Sequence, residues 1–212
     1  MILFRGRRRA GEQSPRYRLF RRVMTSLCRI LFGFTLHGGD RVPSEGPLIV
    51  ASNHRQYADP VLVCVGVSRR LQWMAKKQLF VFPFTRFFYF IGSFPVDREG
   101  GGRAAIRAAL AFLAEGWALG IFPEGTHKDD GTARGAKSGV VVLAARSGAP
   151  VLPVYVGKLP GPLGRLRGEK LHIFVGEPVQ VDGTLRGGAA YRAAADEILR
   201  TIYTLPDGAG SR

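Results

Sequence analysis

From residue 47 onward, short apolar runs rich in β-type residues alternate with stretches of helical spacing, and this alternation constrains the fold more than any other feature. The runs "PLIVAS" (47–52), "LQWMA" (71–75), "ALGIF" (118–122), "VLPVYV" (151–156) and "LHIFV" (171–175) are short and bounded by turn residues, as strands are. Helical patterns fall between them at Pro60 to Val67, Lys77 to Ile91, Arg103 to Glu115, Ser138 to Arg146 and Ala189 to Tyr203. Strand and helix in turn predict an α/β fold: a single domain with a largely parallel mixed sheet flanked by helices. The chain's 212 residues suit one such domain. In sheets of this kind, ligands gather where strands end and loops begin.

The segment before the alternating region has a different character. Arg16 to Leu36, "RYRLFRRVMTSLCRILFGFTL", repeats apolar residues at helical spacing and intersperses them with Arg16, Arg18, Arg21, Arg22 and Arg29. It is expected to be an N-terminal basic amphipathic helix. Arg29 interrupts the apolar run, so lying in a membrane interface fits better than crossing the membrane, which needs about 20 mostly apolar residues. Packing on the core with its arginines in water is the competing reading. "LFVFPFTRFFYFIG", Leu79 to Gly92, holds seven aromatics around Pro83 and Arg86, a composition typical of surfaces at lipid headgroups. The expected division is 1–36 as a membrane-interface segment, 37–205 as the α/β domain and 206–212 as a flexible tail.

Charge narrows the partners. The net charge is +15, and the first thirty residues carry nine arginines against the single Glu12, so the positive charge is concentrated at that end. Phosphate is its natural counterpart, on nucleic acid or on an anionic membrane leaflet. No helix-turn-helix, zinc-finger or RNP-type motif is present, and the aromatic stretch would serve no purpose on DNA, so no nucleic-acid partner is expected. An anionic membrane surface is expected instead. Cys28 and Cys64 are too few for a disulfide framework, and no Cys/His cluster has zinc-ligand spacing. A reducing setting at the cytoplasmic face of a membrane is expected, with no metal and no cofactor.

Three loops carry residues with chemistry. In "ASNHRQYADP", His54 follows a strand by two residues and Asp59 precedes Pro60. On one continuous helix, side chains five apart point about 140° away from each other. A contact between them therefore needs a loop that turns His54 onto the start of the next helix. Such a dyad lets a neutral imidazole take a proton on one nitrogen while the carboxylate holds the other. Asp59 followed by Pro60 is also the order of a helix N-cap and first turn, which involves no catalysis. In "ALGIFPEGTHKDDG", a strand runs into a turn carrying Glu124, Gly125 and Thr126, whose backbone N–H groups and hydroxyl suit phosphate oxygens, or which is plain connection. In "GSFPVDREGGGR", Arg98 stands ahead of a glycine-led helix start, and Lys137 of "GAKSG" stands ahead of another.

Taken in order, these blocks resemble the 1-acylglycerol-3-phosphate acyltransferase family of glycerolipid synthesis. Asn53, His54 and Asp59 match its N-H-x4-D block, "GSFPVDR" its second, "FPEGT" its third, and "VLPVYV" with Pro153 its fourth, while Lys137 resembles a basic position after the third. The resemblance covers roughly residues 40 to 180. It implies transfer of a fatty acyl group from acyl-CoA or acyl-carrier protein to the free hydroxyl of a lysophospholipid, 1-acylglycerol 3-phosphate first, with another lysolipid or glycerol 3-phosphate as the rival acceptor and a non-catalytic membrane-surface binding protein as the alternative outside enzymes. His54 is then general base and Asp59 its orienting partner, while Arg98, Glu124, Gly125, Thr126 and Lys137 bind substrate. Gln56 replaces the family's usual serine, and His127 its usual arginine after FPEGT, which exchanges a permanent charge for one mostly absent at neutral pH. With no G-x-S-x-G nucleophile elbow, direct transfer without an acyl-enzyme is the simpler mechanism.

Overall fold

The computed structural model describes residues 13–96, 102–125 and 135–209. Among these, seven strands form one sheet: β1 (Thr35–His37), β2 (Leu48–Ser52), β3 (Leu71–Lys76), β4 (Ser93–Val96), β5 (Ala118–Ile121), β6 (Val151–Val156) and β7 (His172–Val175). Their order across the sheet is β1-β7-β6-β2-β5-β3-β4. Every neighbouring pair is parallel except β6 and β7, so the sheet is mixed and largely parallel, as the alternation predicts.

Burial of both faces explains why the strand sequences read as unbroken apolar runs. In the central strand β2, Leu48 and Val50 join one core and Ile49 and Ala51 the other. The first core is closed by the helices α1 (Pro15–Phe32) and α2 (Asp59–Gly66), through Cys28, Leu62 and Val63. The second is closed by α4 (Arg103–Ala114), α5 (Gly139–Ser147) and α7 (Gly188–Thr204), through Leu113, Val140, Leu143, Ile198 and Ile202. Two short helices, α3 (Thr85–Phe90) and α6 (Pro162–Leu166), complete the chain. Arg69, nearly buried, donates to the carbonyls of Glu45 and Gly116 and ties together the segments that lead into β2 and β5, at the edge opposite their C-terminal ends.

Two helix expectations are corrected. The helix predicted over Lys77 to Ile91 is instead a 3-10 turn at Lys77–Leu79 followed by α3, because Pro83 has no N–H to donate and its ring clashes with the carbonyl four residues back. The helix predicted through Leu36 ends at Phe32: Gly33 adopts φ 61°, the N–H groups of Gly33 and Phe34 return to Arg29 and Cys28, and β1 begins two residues later. Neither β1 nor β4 was predicted. Both are edge strands of three and four residues, too short for a period to show. At the C-terminus, Asp207–Ala209 form a 3-10 turn.

α1 packs on the core by one side and leaves apolar residues exposed on the other. Ser14 caps it by accepting from the Tyr17 N–H, and Pro15 opens its first turn. Tyr17 and Cys28 are buried, while Leu19, Val23, Leu27, Ile30 and Leu31 form an exposed stripe on the other side. Among the described residues, no helix is long and apolar enough to cross a membrane.

Candidate active site

β2, β5 and β6 run parallel, so the loops after them leave from the same edge of the sheet. Asn53 closes the seam between β2 and β6: its amide donates to the Val156 carbonyl at 2.9 Å and accepts from the Val156 N–H at 2.7 Å. Fully buried, it replaces a rung of the sheet ladder and releases the chain into a turn at a fixed point.

That turn brings His54 back onto the start of α2. His54 Nδ1 lies 3.1 Å from Asp59 Oδ2. The same carboxylate oxygen accepts the backbone N–H groups of Arg55 at 2.6 Å and Gln56 at 2.8 Å. Asp59 therefore reaches back to order the loop, and no side chain caps α2. The imidazole is 17% exposed and the carboxylate 0%, so the buried acid holds a ring that solvent can touch. Because a carboxylate only accepts, Nδ1 carries the proton in the neutral ring and Nε2 is the basic nitrogen. Phe122 stacks on the imidazole at 4.0 Å between centroids and is itself stacked on Trp73, which fixes the ring's plane. Trp73 fits because Gly120 has no side chain: a Cβ there would sit 2.5 Å from the indole.

Glu124, at the exit of β5, joins this loop from below. Its Oε1 accepts the His54 backbone N–H and the Tyr203 hydroxyl, both at 3.2 Å. Burial pushes its carboxyl above the ordinary range, against the pull of those two hydrogen bonds and of the positive charge on nearby Arg55. The Tyr203 hydroxyl is raised as well, by burial and then by the Glu124 charge. Gly125 follows at φ 75°, and a Cβ on it would come within 2.6 Å of the Lys137 Cε and Nζ, so the glycine makes room for the lysine to lie across the turn. The Lys137 N–H donates to the Pro123 carbonyl at 2.9 Å, and the Ala136 N–H to Asp196 of α7 at 2.8 Å, which pins the segment carrying the lysine.

Five of the seven expected site residues thus meet at one edge: His54, Asp59, Glu124, Gly125 and Lys137. Arg98 and Thr126 lie outside the described residues, as does His127. The sequence reading gave no role to Arg55, Tyr155 or Tyr203. Arg55 donates to the Tyr155 hydroxyl at 2.9 Å, and the Tyr155 and Tyr203 rings meet edge to face. Arg55 was detectable as a cation beside His54, whereas Tyr203 sits 79 residues from Glu124 near the end of a regular helix, with no local signal.

The raised Glu124 carboxyl has a consequence for pH. Between its ordinary value and its raised value, the folded state holds more protons than the unfolded state, so its contribution to stability falls as pH rises through that window. Glu124→Gln is expected to flatten this decline. Melting temperatures of both proteins across the acid range check it, and parallel curves would refute it.

A histidine held by a buried acid, beside a lysine at a glycine turn, is an arrangement chemically able to take a proton from a hydroxyl next to an anionic group. A family model described as Acyltransferase matches residues 33–157. The 1-acyl-sn-glycerol-3-phosphate acyltransferase of Bacillus subtilis is 31% identical over 150 residues, covering 69% of this chain and 74% of that protein. Its counterpart in Borreliella burgdorferi is 30% identical over 55% of this chain, and the human beta enzyme 28% over 57%, with this chain spanning 48% and 45% of those proteins. The crystal structure of the 1-acyl-sn-glycerophosphate (LPA) acyltransferase PlsC from Thermotoga maritima superposes with a TM-score of 0.68 over 90% of this chain and 81% of that one, at 22% identity, and so shares the fold. The chain belongs to the 1-acylglycerol-3-phosphate acyltransferase family and is an O-acyltransferase.

Proposed function

We propose that this protein transfers a fatty acyl group from an acyl thioester, acyl-CoA or acyl-carrier protein, to the free hydroxyl of 1-acylglycerol 3-phosphate, giving phosphatidic acid and a free thiol. The observation that carries the reading is Asp59 Oδ2 on His54 Nδ1 at 3.1 Å, which leaves Nε2 available to act as the base. In this reading Nε2 takes the hydroxyl proton as that oxygen attacks the thioester carbonyl, while Asp59 stabilises the imidazolium. The tetrahedral adduct collapses, the carbon–sulfur bond breaks, and the imidazolium returns the proton to the departing thiolate. Buried Glu124 braces the loop from the far side through the His54 N–H. The acceptor phosphate is held by Lys137 and the turn at Gly125 and Thr126, with Arg98 as a further cation. The crossing of Lys137 over Gly125 supports the first two.

The same proposal places the enzyme on an anionic membrane at the cytoplasmic face, where a lysolipid is found. Its support is the exposed apolar stripe of α1, interspersed with arginines, and the loop before α3, where Phe82 is 95% exposed beside exposed Val81 and Phe84.

Lys137→Ala tests the phosphate assignment. The charge-assisted contact is worth roughly 1.5 to 3 kcal/mol, so the acceptor KM is expected to rise about ten- to a hundredfold, with little change in the donor KM or the melting temperature. Equal increases in both KM values would remove lysophosphatidate's main chemical support as the acceptor.

A further inference from the structure

The connection between β6 and β7, residues 157–171, gave no signal in the sequence reading. It leaves the sheet beside Asn53, at the same edge as His54 and Glu124, because β6 runs parallel to β2 and β2 to β5. Its ends are anchored: Leu159 packs on the core and Leu171 is fully buried. Between them α6 holds Leu163 and Leu166 out in solvent, 60% and 86% exposed, three residues apart and so on one side of the short helix. The same connection carries Lys158, Arg165, Arg167 and Lys170, against Glu169 as its single acid.

α6 also extends the surface of α1. The Arg165 guanidinium donates to the Leu31 carbonyl at 3.0 Å, joining α6 to the C-terminal turn of α1, where Ile30 and Leu31 are exposed. The exposed apolar ends of α1 and α6 are therefore joined through Arg165, at the edge that carries the candidate active site. Projecting leucines in a short connection rich in long basic side chains match an interfacial membrane element, in which the apolar tips enter the acyl boundary and the cations stay with the phosphates.

We propose that α6 is a second membrane anchor: Leu163 and Leu166 insert into an anionic leaflet, with the exposed Lys158, Arg167 and Lys170 on the headgroups and Arg165 tying α6 to α1, and hold the mouth of the site against the bilayer that supplies the acceptor. The proposal rests on the membrane reading of α1 for its orientation and adds a contact at the site's own edge.

The test uses the full chain with vesicles of equimolar phosphatidylcholine and phosphatidylglycerol. A Leu166→Trp variant is expected to shift its fluorescence to the blue on vesicle addition and to be quenched by brominated acyl chains, relative to the wild-type background of Trp73 and Trp117. Leu163→Ser with Leu166→Ser is expected to lower vesicle partitioning by about tenfold or more. Turnover of detergent-dispersed acceptor should be unchanged, because neither leucine belongs to the site. An unshifted Leu166→Trp spectrum on bound protein would overturn the proposal and leave the α1 reading standing. No vesicle binding by the wild type would remove both. Unchanged partitioning, with a raised KM for acyl-carrier protein alone, would make this surface a carrier-protein dock and would also overturn the proposal.

Discussion

His54→Ala is expected to lower kcat by about 10²- to 10⁴-fold, the usual contribution of a positioned general base. The fold should survive. The imidazole is 17% exposed and its main packing contact is one face of Phe122, while the loop around it is ordered by groups the substitution leaves in place. Asp59 still accepts from the Arg55 and Gln56 N–H groups, and Glu124 still accepts from the backbone N–H of residue 54. The expected signature is a near-normal melting temperature with nearly all turnover lost, at saturating levels of both substrates. A folded variant with a near-normal rate would mean that His54 is not the base.

Asp59 should respond differently, because it has two jobs. One buried oxygen accepts from the His54 ring and from two backbone N–H groups, while the other is buried with no hydrogen-bond partner among the described residues. Asp59→Ala strands two backbone donors, each costing roughly 1 to 3 kcal/mol, so it is expected to lose both stability and activity. Asp59→Asn keeps an acceptor for the loop but not the negative charge that supports the imidazolium. Losing one charge-assisted bond, worth roughly 1.5 to 3 kcal/mol, predicts a ten- to hundredfold lower kcat with a smaller change in melting temperature. Paired melts and rates for the two variants separate the jobs. If Asp59→Asn melted as low as Asp59→Ala, the charge itself would be structural.

Much of this site could be read from the sequence because its chemistry lies at strand exits. "PLIVAS" and "ALGIF" mark two strand ends by composition alone, and His54 and Glu124 stand within three residues of them. Spacing left open whether Asp59 capped α2 or faced His54. What decides it is the turn that Asn53 sets against Val156, a contact between residues 103 apart that no local pattern encodes. Tyr203 and Asp196 were invisible for the same reason: each acts on the site from α7, whose sequence reports only an amphipathic helix. The aromatic stretch misled in another way. Its spacing suited one helix, but Pro83 breaks it, and what remains is a short α3 with an exposed loop ahead of it. The α6 leucines carried no signal because two apolar residues among glycines and arginines make neither period.

The central claim is direct transfer to a hydroxyl activated by the His54–Asp59 pair, and simultaneous measurement of thiol release and phosphatidate formation tests it most directly. Purified protein would be mixed with an acyl thioester, first without and then with 1-acylglycerol 3-phosphate. The account predicts no thiol burst in the absence of acceptor, followed by equal amounts of thiol and phosphatidate once it is added. A stoichiometric burst of thiol without acceptor, leaving acyl groups covalently on the protein, would contradict it.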